Sequence, residues 1–475
     1  MFDVAVIGGG VIGGMILRKL SSYKLRVCLL EKGNDVCLGQ SKANSGIVHA
    51  GFDAPVGSLK AKFNVLGNIM MPQIAEDLGV KYINNGSLVV AFSDEEMQTL
   101  NDLKERGEKN GVSGLRIISR DELVDLEPNI SPKAVGALLA PTGGIICPYE
   151  LTIAAIGNAM DNGASLYTNF DVCKIVKGEN FEIYSQSGEV IQSRFVINCA
   201  GYGSQKIANA VGDFSFTIGG RRGEYILLDR ESGNFVKHTL FFTPTKKGKG
   251  ILISPTVDGN LLLGPTAEEV DCNNTDTTQN GLQSVINKAN EMCKGVPTYS
   301  AITSFAGVRA YCDKHDFIIE ESSVQKGFFN CVGIESPGLT SAPAIAEYLV
   351  DELLAKSINL IKNPNFNKKR TPDYFFSKLT IEEKNEIIKK DPSFGKIVCR
   401  CEQITEGEII RALMQNPKAT DIDGVKRRTR AGMGRCQGGF CQPYVAELIA
   451  KIHGVTLDKV TKNGKGSEII VGETK

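Results

Sequence analysis

DVAVIGGGVIGGMILRKLSSYKLRVCLLEK, running from Asp3 to Lys32, is the stretch from which the fold is read. Its two unbroken apolar runs, Val4–Ile7 and Val27–Leu30, suit strands covered on both faces, as in a parallel sheet. Between them Gly8-x-Gly10-x-x-Gly13 opens a segment with helical spacing, inside a βαβ unit of about 30 residues. Gly8 permits the tight turn, Gly10 lets a pyrophosphate approach the backbone, and Gly13 lets helix and sheet pack closely. Val11 and Ile12 then start a helix whose amides and dipole favour phosphate. Glu31 ends the second strand, where a carboxylate accepts hydrogen bonds from a ribose, and Lys32 follows it. The pattern predicts a Rossmann-like nucleotide site; the alternative is a tight strand–helix turn without a ligand.

Further along, a long loop, Ser41-Lys42-Ala43-Asn44-Ser45-Gly46-Ile47-Val48-His49-Ala50-Gly51, stands where a simple NAD domain proceeds to another helix and strand. A later strand ends in Asn198-Cys199-Ala200-Gly201, and Ser336-Pro337-Gly338-Leu339-Thr340 opens a second helix. Three such segments suit a long ligand, so the expected cofactor is FAD. Its expected contacts include Ser41, Asn44, Ser45, Val172, Ala200, Gly201, Gly338, Leu339 and Thr340. The helix N-terminus at Gly338 would favour negative charge on a flavin ring. Alternating segments from Arg222 to about Pro265 predict antiparallel sheet.

The expected fold is therefore α/β, a Rossmann-like FAD-binding domain with an inserted antiparallel-sheet substrate domain and a small C-terminal helical domain. The boundaries read from the chain are an oxidoreductase over 1–355, with its FAD-binding part at about 1–80, 150–210 and 325–355 and its substrate part at about 81–149 and 211–324. A Lys-, Asn- and Pro-rich linker with one polar helix covers 356–393, and 394–475 forms the last domain.

Composition narrows the function classes. The 475 residues carry 54 Lys+Arg against 54 Asp+Glu, so bulk charge gives no argument for nucleic acid or a membrane surface. No apolar run reaches the ~18 residues that span a bilayer, and the first strand begins too early to leave room for a signal peptide. Thirteen cysteines, an odd number, do not suggest a disulfide framework in so long a chain. Most, such as Cys28, Cys199 and Cys331, sit in apolar runs and read as small buried hydrophobes. A reducing, cytoplasmic setting is expected.

Four cysteines stand apart, in the pattern C-x-C-x34-C-x4-C formed by Cys399, Cys401, Cys436 and Cys441. Thiolate sulfur at four positions is what an iron–sulfur cluster needs; zinc, which usually takes C-x2-C pairs, is the alternative. Gly432, Gly434, Gly438 and Gly439 would free backbone amides to bond sulfur. Thr405-Glu406-Gly407-Glu408 predicts a capped helix to about Met414. Lys426, Arg427, Arg428, Arg430 and Arg435 would favour a reduced cluster, raise its potential and dock an acidic partner; a nucleic-acid patch is the other reading.

SKANSGIVHAGFD, PTKKGKG, SPTVDGNLLLGPTAE, FAGVRAY and GIESPGLTSAPAIA resemble segments of the D-amino-acid-oxidase-type FAD-dependent oxidoreductases. Within them the likeness is to the glycerol-3-phosphate dehydrogenase/oxidase group and the L-2-hydroxyglutarate enzymes, over about 1–355. VCRCEQITEGEIIRAL and VKRRTRAGMGRCQGGFC resemble the bacterioferritin-associated-ferredoxin-type [2Fe-2S] domain, over about 394–465, which implies Cys399, Cys401, Cys436 and Cys441 as ligands.

Oxidising an alcohol needs a hydride acceptor, a base and an anchor. His49 is the base candidate, in a glycine-flanked loop where the resemblance implies a catalytic histidine; a histidine held by backbone hydrogen bonds is the plainer reading. Arg309 could clamp an anion with its guanidinium fork or serve an interdomain salt bridge. Lys249 lies between Gly248 and Gly250, where the resemblance implies a contact to substrate or flavin. Ser336 is taken to bond substrate or support that lysine, and Arg221 and Arg222 to serve structure or the flavin-side rim. The cations call for an anionic 2-hydroxy substrate, phosphate or carboxylate. The resemblance implies oxidation of sn-glycerol 3-phosphate to dihydroxyacetone phosphate, with electrons leaving through the cluster to a partner protein or subunit, in an oligomeric or heteromeric assembly peripheral to a membrane through other subunits. The alternatives are an L-2-hydroxyglutarate or other 2-hydroxy- or amino-acid dehydrogenase, a peroxide-forming oxidase, and an electron-transfer or iron-sensing subunit without substrate. Cys147, Cys272, Cys293 and Cys312 receive no role.

Overall fold

The computed structural model describes residues 1–244, 250–270, 274–370 and 376–472; Lys249 and Cys272 lie outside the described residues. The first strand, Phe2–Ile7, lies parallel to Val27–Leu30 on one side and to Val190–Asn198 on the other. Among the described residues these belong to an eight-stranded sheet, which Ser165–Tyr167 extends at one edge and Phe328–Val332 joins in parallel beside Val190–Asn198. The strands Val4–Ile7 and Val27–Leu30 are buried throughout, as their unbroken apolar character requires.

Helices cover this sheet through close backbone approach. Helix Val11–Ser21 crosses Pro148–Asp161 at Gly14, where a Cβ would come within 3.0 Å of Ile156 Cγ1. Helix Leu59–Leu78 is started by Ser58, whose Oγ accepts from Ala61 N, and stopped by Gly79 at φ 66°, the left-handed residue that commonly ends helices. It crosses Gly338–Glu347 so closely that a Cβ at Gly67 would lie 2.0 Å from Thr340 O. This second helix is α-helical to Glu347 and widens into a π-type turn over Tyr348–Leu353.

The second sheet has nine strands among the described residues. Its spine is the long antiparallel pair Ile218–Leu228 and Ala301–Cys312, which sets Arg221 opposite Arg309. The antiparallel expectation holds for the Arg222–Pro265 segments, but Thr239–Phe242 joins Ser87–Ala91 in parallel, so the sheet is mixed.

The segment 356–393, read as a linker with one polar helix, is bonded to the Rossmann layer over residues 361–370. Ile361, Asn367 and Lys368 each offer a carbonyl, to Lys24 N, Asn158 Nδ2 and Arg18 Nη2 respectively. Polar side chains join in as well, Lys368 Nζ lying 3.2 Å from Asp77 and Arg370 Nη2 donating to Asn416 O, pairings that composition does not report. The polar helix is present at Ile381–Lys390, with a capping box from Thr380 and Glu383. Beyond it a short hairpin, Ile397–Cys399 with Ile404–Thr405, carries helices Glu406–Met414, Ile422–Thr429 and Gln442–His453. Their apolar faces close on a core of Ile409, Leu413, Val425, Val445 and Ile449. No helix among the described residues is long and apolar enough to cross a membrane.

Candidate functional site

One cavity of about 1210 Å³ runs between the two sheets. At one end it is walled by Gly8, Gly9, Gly10, Val11 and Ile12, with Glu31, Lys32, Ser41, Asn44 and Ser45 beside them. Ala200, Gly201, Gly338 and Leu339 also line it. Gly8 sits at φ 110°, and a Cβ there would lie 2.4 Å from Cys199 O. A side chain is therefore excluded by conformation and by space together. The Glu31 carboxylate accepts from Gly9 N at 2.7 Å and Gly33 N at 2.8 Å. Burial pushes this carboxyl up, and the Gly33 and Gly9 amides work against the shift. Glu31 thus braces the glycine loop as well as facing the cavity. Ser41 Oγ accepts from Val11 N at 2.9 Å. A long cradle walled by backbone and glycine fits a dinucleotide.

Two expected cofactor contacts, Val172 and Thr340, lie off the cavity wall, while Gly13 has the packing role read for it. Gly13 packs behind the loop, where a Cβ would fall 2.0 Å from Gly8 O, the close helix–strand approach assigned to it. The Val172 side chain is buried with Phe170, Ile175 and Phe181, off the cavity wall. Thr340 is also off the wall: its buried Oγ accepts from His49 N at 2.9 Å and donates to Ile47 O at 3.3 Å. It holds the histidine loop.

At the other end His49, Arg309 and Ser336 face the same space, although the chain separates them widely. Asn64 and Asn68 of helix Leu59–Leu78 donate to His49 O at 2.6 and 3.2 Å, and Thr340 takes its N–H. The ring is left on the cavity side, 3.4 Å from Ser336 Oγ through Nε2 and 5.9 Å from the Phe241 ring centre. Arg309 donates from Nη2 to Thr266 O at 2.6 Å. Its Nε is buried and finds no hydrogen-bond partner among the described residues, which costs about 1–3 kcal/mol unless an acceptor arrives. Gly223 makes room for this guanidinium, its Cβ position lying 2.9 Å from Nη2. Tyr225 and Phe305 stack at 4.9 Å and give the cavity an apolar wall.

Arg221 lines the rim, over the Tyr311 ring at 4.9 Å and 3.5 Å from Glu269. Arg222 is buried with Glu268 at 2.6 Å and Glu224 at 3.4 Å, a structural part. Lys60, missed in the sequence, reaches the cavity and pairs with Glu335 at 2.9 Å. Asn64 and Asn68 were also missed; two asparagines four apart on an otherwise buried helical face were the available signal.

In the last domain Cys401 and Cys436 bring their sulfurs to 3.7 Å, and Cys399 and Cys441 are hydrogen-bonded. That bond, foremost, and the Gly432 and Glu402 amides pull the Cys399 thiol down to about 6. A Cβ at Gly434 would meet Cys401 Cβ at 2.4 Å, so the glycines allow the two cysteine pairs to converge. Two close thiol pairs with amide donors around them fit a sulfide-bridged iron pair. The remaining described cysteines are free; Cys147, Cys293 and Cys312 are buried.

The arginines of the basic run find acidic partners within the chain, although Arg435 stays exposed. Arg427 and Arg428 pair with Asp35, Arg430 with Asp258 and Glu402, and Arg435 with Asp229 and Glu231. Apart from Glu402 these acids belong to the FAD-binding and substrate regions, so the complementary surface is within the chain.

Residues 3–352 match the family described as FAD dependent oxidoreductase, and residues 397–451 match the BFD-like [2Fe-2S] binding domain. The glycerol 3-phosphate dehydrogenase of Caloramator mitchellensis is 48% identical over 476 residues, covering 100% of this chain and 99% of that one. The L-2-hydroxyglutarate dehydrogenase of Escherichia coli (strain K12) is 31% identical over 273 residues, 56% of this chain and 64% of that one. The FAD-bound, dithionite-reduced L-alpha-glycerophosphate oxidase of Mycoplasma pneumoniae superposes with a TM-score of 0.74 at 31% identity, covering 78% of this chain and 98% of that one. With the glycine cradle and the four converging cysteines, these likenesses place the chain in the family of FAD-dependent oxidoreductases, with a BFD-like [2Fe-2S] binding domain at its C-terminal end.

Proposed function

We propose that this protein oxidises sn-glycerol 3-phosphate to dihydroxyacetone phosphate and delivers the electrons through its [2Fe-2S] domain to an external protein or partner subunit. The observation that carries the substrate assignment is Arg309, which lines the same cavity as His49 and has a buried Nε without a hydrogen-bond partner among the described residues. The full-length likeness to a protein named glycerol 3-phosphate dehydrogenase favours phosphate over carboxylate as the anion.

When bound, FAD supplies the acceptor for the hydride from substrate C2, and the [2Fe-2S] cluster supplies one-electron capacity. The chain does the rest. Arg309 holds the substrate phosphate, a bidentate fit for a planar guanidinium, with Lys249 as the second cation. His49 takes the hydroxyl proton at Nε2. Its backbone, fixed by Thr340 and Asn64, sets where that nitrogen sits. Ser336 Oγ, 3.4 Å away, orients the ring. Tyr225, Phe305 and Phe241 exclude water beside the reacting carbon. The anchoring cation and the base sit at one end of the cavity, opposite the glycine cradle.

The test is anaerobic titration of the purified protein with sn-glycerol 3-phosphate and with L-2-hydroxyglutarate, followed by visible absorption. Bleaching of flavin and then of cluster bands by the phosphate alone is expected. Bleaching by L-2-hydroxyglutarate alone would move the assignment to a carboxylate. Rapid peroxide release in air, with the cluster bands unchanged, would overturn the electron route.

A further inference from the structure

Asp35 lies in a five-residue loop, Gly33 to Cys37, that follows the strand ending before Glu31. One side of this loop belongs to the nucleotide end of the cavity. Gly33 N donates to Glu31 Oε1 at 2.8 Å, and Cys37 N donates to Gly9 O at 2.9 Å. Its other side belongs to the [2Fe-2S] domain. Arg427 Nη2 and Arg428 Nη1 donate to Asp35 Oδ2 at 2.6 and 2.8 Å, and Arg428 Nη2 donates to Oδ1 at 2.8 Å. Oδ1 also accepts from Val36 N at 2.8 Å. Next to it, Asn34 Nδ2 donates to Asp421 Oδ2 at 2.5 Å, and Asp421 caps the helix that carries both arginines. Asp35 is 3% exposed, and Arg427 is 6% exposed. Burial acts to raise the Asp35 carboxyl, but Arg428 and Arg427 outweigh it and hold it below the ordinary carboxylate range.

We propose that the [2Fe-2S] domain has a second role as a lock on the flavin site: docked through Arg427 and Arg428, it fixes the Asp35 loop and so holds Glu31 and the glycine loop in their FAD-binding form. Asp35 is the positioning residue. A buried carboxylate met by a bidentate guanidinium has two well-separated states, paired and dry or parted and wet, because an unpaired buried charge is costly. A loop with two such states biases both sites that touch it. By linkage, whatever docking adds to FAD affinity, FAD adds to docking. The domain then behaves as a fixed neighbour of the flavin site rather than a carrier swinging on the 356–393 segment. The inference rests on FAD occupying the glycine cradle and is independent of which substrate is oxidised.

The test uses the full-length holoprotein, with FAD affinity measured by fluorescence of released flavin and no substrate present. R428Q is the main variant, since it lies in the far domain and reaches the loop only through Asp35; D35N and D35N/R428Q complete a cycle. Each single change is expected to raise the FAD dissociation constant about tenfold, within the usual range of site-to-site coupling, with the double variant no weaker than the worse single. FAD should also slow limited proteolysis of the 356–393 segment in the wild type and lose that effect in R428Q. Iron content equal to wild type shows that the cluster domain is folded. If R428Q opens the segment to protease while FAD affinity stays at the wild-type value, the lock is refuted. A wild-type protein that binds no FAD would remove the cofactor assignment itself, and the lock with it.

Discussion

The two ends of the cavity are built from different materials. The nucleotide end is backbone: Gly8, Gly9 and Gly10, a helix N-terminus, and one carboxylate 21 to 23 residues on that returns to the same loop. The substrate end is side chains: His49, Arg309 and Ser336, brought together by a helix crossing and a long antiparallel pair. A site made of backbone fails when a Cβ intrudes and tolerates most changes of charge. A site made of side chains tolerates small shifts of backbone and fails when one functional group is exchanged.

That contrast can be broken at either end. The largest effect is expected for Gly13→Val, whose Cβ would fall 2.0 Å from Gly8 O; flavin absorbance per polypeptide should drop to background and the Tm should fall. A normal flavin content would mean that the turn has room to spare. Next comes His49→Gln, expected to lower kcat by about 10²- to 10⁴-fold, the usual share of a general base, with flavin content unchanged and the pH dependence of kcat flattened. Retention of most of kcat would move the base elsewhere. Arg309→Met should raise KM for sn-glycerol 3-phosphate by about 10- to 150-fold, corresponding to the 1.5–3 kcal/mol of a hydrogen bond to a charged group, while binding FAD as the wild type does. Loss of flavin in this variant would show that the two ends are not separable.

The smallest effect concerns two carboxylates four residues apart whose shifts oppose. Asp35 is held low by its arginines, after their attraction overcomes burial. Its contribution to stability is full above about pH 4, its ordinary unfolded value, and is lost as pH falls through the depressed folded value. Glu31 is raised, by burial foremost, so stability of the FAD-free protein should decline as pH rises from about 4.3 towards the folded value. Denaturant unfolding of the FAD-free wild type, D35N and E31Q between acid and neutral pH checks both signs. Matching slopes in D35N and wild type on the acid side would remove the arginine pairing from the stability of the fold.

Legibility followed the same division. Gly8, Gly10, Gly13 and Glu31 could be read because each answers a local demand within one βαβ unit, and the cysteine quartet because soft ligands in two close pairs have few other uses. Val172 and Thr340 were misplaced because strand and helix periodicity says which residues are near the cofactor, not which way each side chain turns. Thr340 turned towards His49 because Gly67 lets two helices touch. Lys60 gave no signal, since a lysine at a helix start is ordinary until the fold sets Glu335 beside it.

The basic run shows the limit most plainly. Its charge was visible in the chain, but its partners Asp35, Asp229, Glu231 and Asp258 lie from 172 to 393 residues upstream in sequence terms and reach it only through docking of the domains. From the amino-acid order alone came the βαβ cradle, the mixed composition of a two-cofactor chain and the four thiolate positions, since these depend on periodicity, glycine and ligand chemistry close along the chain. Tertiary structure alone decided that Arg309 joins His49 at the cavity, which residues hold His49, and that Arg427, Arg428 and Arg430 are buried against carboxylates of other regions. Those outcomes are set by packing between segments far apart, where burial and competition for the nearest carboxylate, rather than local preference, fix each charge.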